Sequence, residues 1–290
     1  MKRYSIFTAI ALLSVLGAAP AFAACEAANI KGTAYLKCTI DEGEYALHLP
    51  EPGEAGSQKP IPALLYFHGA GGSGPKAMRN KGMLRTFTDR SYAIIAPSGL
   101  KRPNTRFGPG WSFQPFREKQ RDELAFAKAI LSDVSANHGI DRTRILTSGF
   151  SIGGSLVWYL ACQDPALSRA YAPVAGAFWR PHPVSADCNG PIKLLHTHGW
   201  RDGTVPLEGR PLGGGRIYQG DVFAGLQIMR EVNGCDQLRA DKFDTSGRFW
   251  RRKWTKCTSD SALEFALHTG GHGVPKGWAN MAIDWFEALK

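Results

Sequence analysis

The sequence lacks features that mark several common classes of protein. It has no C-x-x-C motif, and its H-x-H pair, His196 and His198, has no third ligand at a suitable spacing. No metal site is therefore expected, and both histidines are interpreted as structural. The apolar stretch 6–19 is shorter than the about 20 residues that a membrane-spanning helix needs, so no stable membrane insertion is expected. Since the 290 residues also contain no repeat, low-complexity tract or Pro/Ser/Thr-rich linker, one main domain is predicted.

The N-terminus has the organisation of a secretory signal peptide. Two basic residues, Lys2 and Arg3, precede the apolar stretch 6–19, and the small-residue motif Ala21-Phe22-Ala23 follows it. A charged region, an apolar region and an A-x-A site in this order predict cleavage after Ala23. We therefore expect a signal peptide over 1–23, a single catalytic domain over 24–290, and a secreted or periplasmic protein.

The six cysteines agree with export, because their number is even and the environment outside the cytoplasm permits disulfides. Short closed loops favour pairing within three couples that are close in sequence. The expected bridges are Cys25 with Cys38, Cys162 with Cys188, and Cys235 with Cys257. An alternative is that Cys25 is the lipid-bearing first residue of a lipoprotein, although such proteins usually have Leu where this chain has Phe22.

The formal net charge is +10, and much of the excess lies in the basic and aromatic segment 248–256. Basic residues interleaved with aromatics can bind a nucleic acid or an acidic polysaccharide. The simpler interpretation is a strand with Trp250, Arg252 and Trp254 on one face and solvated charge on the other. For an exported protein we favour the strand, and no nucleic-acid partner is expected.

A G-x-S-x-G motif, Gly149–Gly153, lies between the β-branched run 144–148 and the apolar helical pattern 155–160. Strand, sharp turn and helix in this order describe the nucleophile elbow of α/β-hydrolases. The flanking glycines allow strand and helix to pack closely around a strained serine. Ser151 is therefore the candidate nucleophile, whereas an ordinary glycine-rich turn is the alternative.

Strand and helix patterns alternate along the rest of the chain. We expect an α/β fold, with a mostly parallel, doubly wound sheet that begins with an antiparallel hairpin over 34–40 and 44–49. The further predicted strands are 62–67, 92–96, 169–174, 192–196 and 262–268, and the predicted helices are 77–90, 122–137, 221–232 and 276–289. Catalytic side chains are then expected on loops at the carboxyl ends of the strands.

Two such loops carry candidates for the acid and the base. In α/β-hydrolases the order along the chain is Ser, acid, His. Asp202 follows the strand predicted at 192–196, and His268 and His272 follow or end the last strand. His272 is the preferred base because it lies in a glycine-rich loop, whereas His268 is still in phase with the strand.

A glycine-rich run, 67–74, follows the first long buried strand, from which this fold supplies an oxyanion-hole donor. The expected donors are the N–H of Ala70, or of its neighbour Gly71, together with that of Ile152. A phosphate-binding loop is a weaker alternative because no Gly-Lys-Ser/Thr follows.

These motifs together resemble a group of secreted esterases that contains polyhydroxybutyrate depolymerases, feruloyl esterases and acetylxylan esterases. The matching segments are Tyr66–Gly69, Gly110–Phe113, Gly139–Asp141, Gly149–Gly154, Ala172–Gly176, His198–Gly199 before Asp202, and Gly270–His272. The resemblance implies an α/β-hydrolase fold and a carboxylesterase without a cofactor, with Ser151, Asp202 and His272 as its catalytic triad.

The chain departs from the depolymerases of this group. It lacks their linker and separate substrate-binding domain, and it has Ala70 where they often have Cys. Trp200 replaces a small residue beside the acid and, with Trp111, is expected to line a substrate cleft. These differences favour feruloyl, acetylxylan or short-chain esters of plant cell walls over polyhydroxybutyrate or its hydroxyalkanoate oligomers, which remain the alternative. An exported serine peptidase and a non-catalytic binding protein are alternatives of other classes.

Overall fold

The computed structural model describes residues 24–51, 60–103 and 108–289. The predicted signal peptide, 1–23, lies outside the described residues. Among those residues no helix has the length and apolarity needed to cross a membrane.

The strands, in chain order, are β1 (Ala24–Ile30), β2 (Thr33–Ile40), β3 (Gly43–His48), β4 (Ile61–Phe67), β5 (Ala93–Pro97), β6 (Ile140–Phe150), β7 (Ala170–Val174), β8 (Lys193–Gly199), β9 (Pro211–Leu212), β10 (Ile217–Tyr218), β11 (Lys242–Asp244), β12 (Trp250–Trp254) and β13 (Ala262–His268). The α-helices are α1 (Gly74–Ala77), α2 (Lys81–Thr88), α3 (Glu123–His138), α4 (Ile152–Gln163), α5 (Val222–Val232) and α6 (Trp278–Glu287). Short 3₁₀ turns lie at Pro165–Leu167 and Ser185–Asp187.

Eleven of the described strands form one sheet in the order β1-β2-β3-β5-β4-β6-β7-β8-β13-β12-β11. The six strands from β5 to β13 in this order are parallel, whereas β1–β3 and β11–β12 pair antiparallel at the two edges. Helices α3, α4 and α5 cover one face, and α2 and α6 cover the other. The predicted α/β-hydrolase architecture, with its antiparallel N-terminal hairpin, is confirmed.

Packing on the two faces explains why the parallel strands read as continuous apolar runs. Trp158, Phe126 and Phe178 are fully buried on the first face, and Phe87 and Trp278 are buried on the second. A strand covered on both faces has no polar side to show an alternating pattern. Burial of these large rings against the strands contributes to the hydrophobic stabilisation of the sheet.

The structure has short strands that were not predicted, β9, β10 and β11, and two further differences have a clear physical reason. Strand β1 was not predicted, because it is an edge strand with mostly exposed residues and gives no apolar signal. The helix predicted over 77–90 is two helices, since Asn80 begins a new one by accepting a hydrogen bond from Met83 N–H at 3.1 Å. The basic segment contains strand β12, where Arg251 and Lys253 pair with the buried Glu264 of β13.

Three disulfides join the cysteines in the couples that sequence proximity favours: Cys25–Cys38, Cys162–Cys188 and Cys235–Cys257. The first lies across β1 and β2, where the two residues are directly opposite. The second connects the end of α4 to the 3₁₀ turn at Ser185–Asp187, and the third connects the loop after α5 to the loop after β12. Each bridge therefore restrains a peripheral segment against the sheet.

Candidate active site

The turn between β6 and α4 holds Ser151 in a conformation that few residues adopt, with φ 58° and ψ −123°. The N–H of Ser151 donates to Val174 O at 2.9 Å, and its carbonyl accepts from Ser155 N–H at 2.8 Å. These bonds to β7 and to the first turn of α4 hold the strained backbone in place. The side chain therefore stands at the N-terminus of α4, at the carboxyl edge of the sheet.

Glycines on both sides of Ser151 are required by space. A Cβ on Gly149 would lie 2.6 Å from the carbonyl carbon of Gly153, and a Cβ on Gly153 would lie 2.2 Å from Phe67 O. Both distances are far below van der Waals contact with backbone atoms that have no room to move. The motif therefore lets α4 pack directly against β4 and β6.

His272 contacts both other members of the predicted triad. Its Nε2 lies 2.9 Å from Ser151 Oγ, and its Nδ1 lies 2.7 Å from Asp202 Oδ2. Asp202 follows β8 and His272 follows β13, so two neighbouring parallel strands deliver them to the same edge. In this arrangement a hydroxyl, an imidazole and a carboxylate can pass a proton from the serine to the histidine.

Asp202 is buried and fully hydrogen-bonded. Its Oδ1 accepts from the N–H groups of Thr204 at 2.9 Å and Val205 at 2.8 Å. Burial disfavours the charged carboxylate, but interactions with His198, His272 and Val205 N–H outweigh burial and hold the pKa of Asp202 well below its usual range. The carboxylate is therefore charged when it faces the imidazole.

His268, the alternative base, lies at the end of β13. Its side chain is buried, and its Nδ1 accepts a hydrogen bond from Gly270 N–H at 3.0 Å. Burial, together with the neighbouring His198, lowers its pKa. The structure thus brings His272 to Ser151 and leaves His268 as part of the framework beneath the histidine loop.

The loop after β4 lies beside Ser151, and its two candidate donors differ in availability. Gly71 N–H is already bonded to Pro109 O at 2.8 Å. Within the described residues, the N–H groups of Ala70 and Ile152 donate to no protein acceptor. Ala70 and Ile152 thus each keep an N–H without a protein acceptor, whereas Gly71 does not.

His68 holds this loop in shape. Its Nε2 accepts from Gly99 N–H at 2.9 Å, so its Nδ1 carries the proton and donates to Gly69 O at 2.7 Å. Burial lowers the pKa of His68 to about 4, which keeps the ring neutral in this role. By binding the Gly69 carbonyl, His68 fixes the peptide that carries the Ala70 N–H.

A comparison with protein-family models decides the family. The model described as phospholipase/carboxylesterase matches residues 54–211. The chain belongs to the phospholipase/carboxylesterase family. It is a carboxylic ester hydrolase with the α/β-hydrolase fold, similar to curated and solved esterases.

Among curated proteins, the chain is 25% identical over 248 residues to a probable feruloyl esterase C of Aspergillus niger, covering 82% of this chain and 79% of that protein. It is 28% identical over 252 residues to the putative esterase NocK of Nocardia uniformis subsp. tsuyamanensis, covering 80% and 71%. Among solved structures, the acetyl xylan esterase from Aspergillus awamori has a TM-score of 0.64 at 14% identity, covering 84% and 93%. That likeness concerns the fold.

Trp111 and Trp200, the two residues expected to line a substrate cleft of this esterase, differ in their exposure to solvent. Trp111 is only 2% exposed, and its indole N–H donates to His68 O at 2.9 Å. Trp111 therefore supports the loop after β4 through His68 and forms no cleft wall. The expectation that it lines a substrate cleft is corrected. Trp200 is 62% exposed, in the loop that leads to Asp202, and is available to a ligand.

Sequence reasoning missed a buried ion pair beneath this esterase's oxyanion loop. From the sequence, Glu123 is only a residue of the helix predicted over 122–137. In the structure it contacts Arg121 at 2.8 Å and accepts from Ser112 N–H at 2.8 Å, beside Trp111. Burial raises the pKa of Glu123, although Arg121 opposes this. In the sequence, the signal for this ion pair is Arg121, a basic residue two positions before Glu123.

The potential metal ligands among the described residues of this esterase already take part in other bonds. Among the described residues, Cys25, Cys38 and His138 form a group with suitably close ligand atoms, but both sulfurs belong to a disulfide. His196 Nε2 and His198 Nδ1 lie 3.0 Å apart and bind each other. Neither group presents free ligands to a metal.

The packing at the elbow predicts that Gly153→Ala inactivates the enzyme and lowers its free energy of unfolding by about 1–3 kcal/mol or more. The added Cβ has no room against Phe67 O and His68 O, so α4 must move away from β4. Urea unfolding and ester hydrolysis measure the two effects. Gly247→Ala is the matched control, because a Cβ there meets open space. Wild-type stability in Gly153→Ala would contradict the close packing.

Proposed function

We propose that the protein is an exported serine carboxylesterase that uses Ser151, His272 and Asp202 as a catalytic triad. The observation that carries this proposal is the continuous hydrogen-bonded path from Ser151 Oγ through His272 to Asp202 Oδ2, with spans of 2.9 and 2.7 Å. Both spans lie within the range expected for a nucleophile and its base. Membership of a carboxylesterase family supports ester hydrolysis as the reaction.

In the proposed mechanism, Ser151 Oγ attacks the ester carbonyl carbon while its proton moves to His272 Nε2. Asp202 stabilises the imidazolium, and the N–H groups of Ala70 and Ile152 donate to the oxyanion. The imidazolium then protonates the departing alcohol as the C–O bond breaks, which leaves an acyl-enzyme. His272 then takes a proton from water as the water oxygen attacks the acyl carbon. The bond from that carbon to Ser151 Oγ breaks, His272 returns the proton to Oγ, and the carboxylic acid leaves.

We propose phenolic-acid or acetyl esters of carbohydrates as the substrate class. Its support comes from relatives named as feruloyl esterases and from the fold neighbour named as an acetyl xylan esterase. Trp200 offers an exposed aromatic surface in the loop before Asp202, against which a phenolic or sugar ring can pack. With Trp111 buried, this interpretation depends on Trp200 more than the sequence suggested.

Export is part of the same proposal. Residues 1–23 serve as a signal peptide, and residues 24–290 form the single catalytic domain. Three disulfides support a location outside the cytoplasm. The bridge from Cys25 to Cys38 also leaves no thiol on Cys25 for a lipid, which favours cleavage after Ala23 over lipoprotein processing.

The triad predicts a ranking of variants. Ser151→Ala and His272→Ala should each lower kcat on a short-chain activated ester by about 10⁴-fold or more, because members of a triad act as a unit. Asp202→Asn should fall similarly, since the amide stabilises the wrong tautomer of His272. His268→Ala should retain most activity per folded molecule. The reverse ranking of the two histidines would reject this assignment, and an organophosphonate should label Ser151.

The substrate class predicts a selective effect at Trp200. Trp200→Ala should lower kcat/KM on methyl ferulate by about 10- to 100-fold, the usual effect of one missing apolar contact, with less change on a small acetyl ester. Phe243→Ala is the control, because Phe243 is another exposed aromatic residue but lies on the edge strand β11.

A substrate panel of methyl ferulate, acetylated xylan, soluble hydroxybutyrate oligomers and amorphous polyhydroxybutyrate completes this test. We expect the first two to be preferred, with overlapping activity on small acyl groups. A preference of a hundredfold or more for the hydroxybutyrate substrates would replace the feruloyl or acetylxylan assignment with that of a depolymerase.

Export predicts the mass of the mature protein. After secretion, the chain should begin at Ala24 and weigh six hydrogens less than the reduced chain, because three bridges remove six. Intact-mass measurement before and after reduction, followed by peptide mapping, checks both statements. A lipid on Cys25, or six free thiols, would contradict them.

A further inference from the structure

The H-x-H pair on β8, His196 and His198, is buried next to the carboxylate of Asp202. Both imidazoles are completely buried, and His196 Nε2 lies 3.0 Å from His198 Nδ1. His198 Nε2 in turn lies 2.8 Å from Val205 O and 3.4 Å from Asp202 Oδ2. The two rings thus form a polar chain that ends at the oxygen that also contacts His272.

The surrounding atoms show where His198 carries a proton. Val205 O is an acceptor, so His198 Nε2 carries hydrogen and donates to it. On the other side of the ring, His198 Nδ1 lies 3.0 Å from His196 Nε2, so one of these two nitrogens donates to the other. Burial, with the adjacent His198, keeps the pKa of His196 well below its usual value.

Packing alone gives no reason for two imidazoles at these positions. His196 is surrounded by aromatic rings, with Trp158 at 5.0 Å and Phe265 stacked at 5.9 Å between ring centroids. An apolar side chain would fill such a space without the cost of burying polar nitrogens. The bonds from the pair to the Asp202 loop offset that cost.

Val205 and His198 each contact one oxygen of the Asp202 carboxylate and are bonded to each other. Val205 N–H donates to Asp202 Oδ1 at 2.8 Å, while Val205 O accepts from His198. His198 Nε2 also lies 3.4 Å from the other carboxylate oxygen, Asp202 Oδ2. Rotation of the carboxylate away from His272 would therefore break contacts with both residues.

We propose that His198 is a positioning residue that orients the carboxylate of Asp202 toward His272. This inference rests on the triad proposed above. The N–H of His198 Nε2 faces the same carboxylate oxygen that contacts His272 Nδ1, so it restrains the oxygen on which the orientation of His272 depends.

The test compares His198→Gln with His198→Asn. The Gln amide nitrogen reaches about the position of His198 Nε2 and can still donate, whereas the shorter Asn amide cannot reach Val205 O or Asp202. Both substitutions place one neutral amide at the same buried position. Thr197→Val is the control on β8, since Thr197 is equally buried and its hydroxyl has no partner among the described residues.

The enzyme concentration in each assay is the concentration of sites titrated by an organophosphonate, which removes the effect of misfolded protein. We expect His198→Asn to lower kcat by about 10- to 100-fold with little change in KM, as for a lost hydrogen bond to a charged group. The acid limb of the pH profile, where kcat/KM falls as the pH is lowered, should move to higher pH. A carboxylate that has lost one hydrogen-bond donor is a stronger acceptor and therefore favours the protonated state of His272. His198→Gln should recover most of kcat and the original limb.

Three titratable side chains face Asp202 among the described residues: His198 on β8, His272 in its loop, and His268 at the end of β13. The double variant His268→Asn/His198→Asn therefore shows whether the shifted limb comes from His268. A limb that stays shifted in the double variant supports the role of His198.

The positioning role is wrong if per-site kcat and the acid limb are unchanged in His198→Asn, or if Gln and Asn variants lose activity equally. In either case the pair would serve only the stability of β8. A failure of the triad itself is distinguished by Ser151→Ala, which would then retain activity whatever the His198 variants do.

Discussion

The close approach of α4 to strands β4 and β6 is the constraint on which the site depends. Only hydrogen fits at the Cα of Gly149 and Gly153, where a Cβ would lie 2.6 Å or less from backbone atoms. This approach permits the positive φ of Ser151 and places its hydroxyl at the start of α4, next to the free N–H of Ile152. The proposed nucleophile and one proposed oxyanion donor therefore come from one local feature of the chain, and packing over the whole sheet stabilises the strain.

The remaining parts of the site come from the parallel order of the strands. The loops after β4, β8 and β13 leave the same edge of the sheet as the turn after β6, although His272 is 121 residues from Ser151. Each loop is then fixed by a buried polar residue. His68 holds the loop that carries Ala70, and Asp202 contacts Val205 N–H and His198 of β8. The buried polar residues beneath the loops therefore hold the candidate site in place before a substrate binds.

The sequence was sufficient for the fold and for the candidate triad because those signals are local or ordered along the chain. The glycine motif needs only its flanking strand and helix patterns, and the order Ser, Asp, His follows from the topology. Features that depend on three-dimensional neighbours were less accessible. The edge strand β1 carries no apolar pattern, Glu123 resembled an ordinary helix-start residue, and His196 and His198 had no recognisable role until their nitrogens were placed.

The aromatic residues show the same division between local and non-local information. A tryptophan near a catalytic motif has two uses, in the core or against a ligand, and only burial distinguishes them. Trp111 lies within the segment Gly110–Phe113 shared with the resembled esterases yet is 2% exposed, whereas Trp200 is 62% exposed. Because the buried indole also donates to His68 O, replacing it would disturb the loop that carries the proposed oxyanion donor Ala70 before it changed substrate preference. Trp200 has no such place in the buried layer, and a substitution there can test the proposed substrate preference without disturbing the triad.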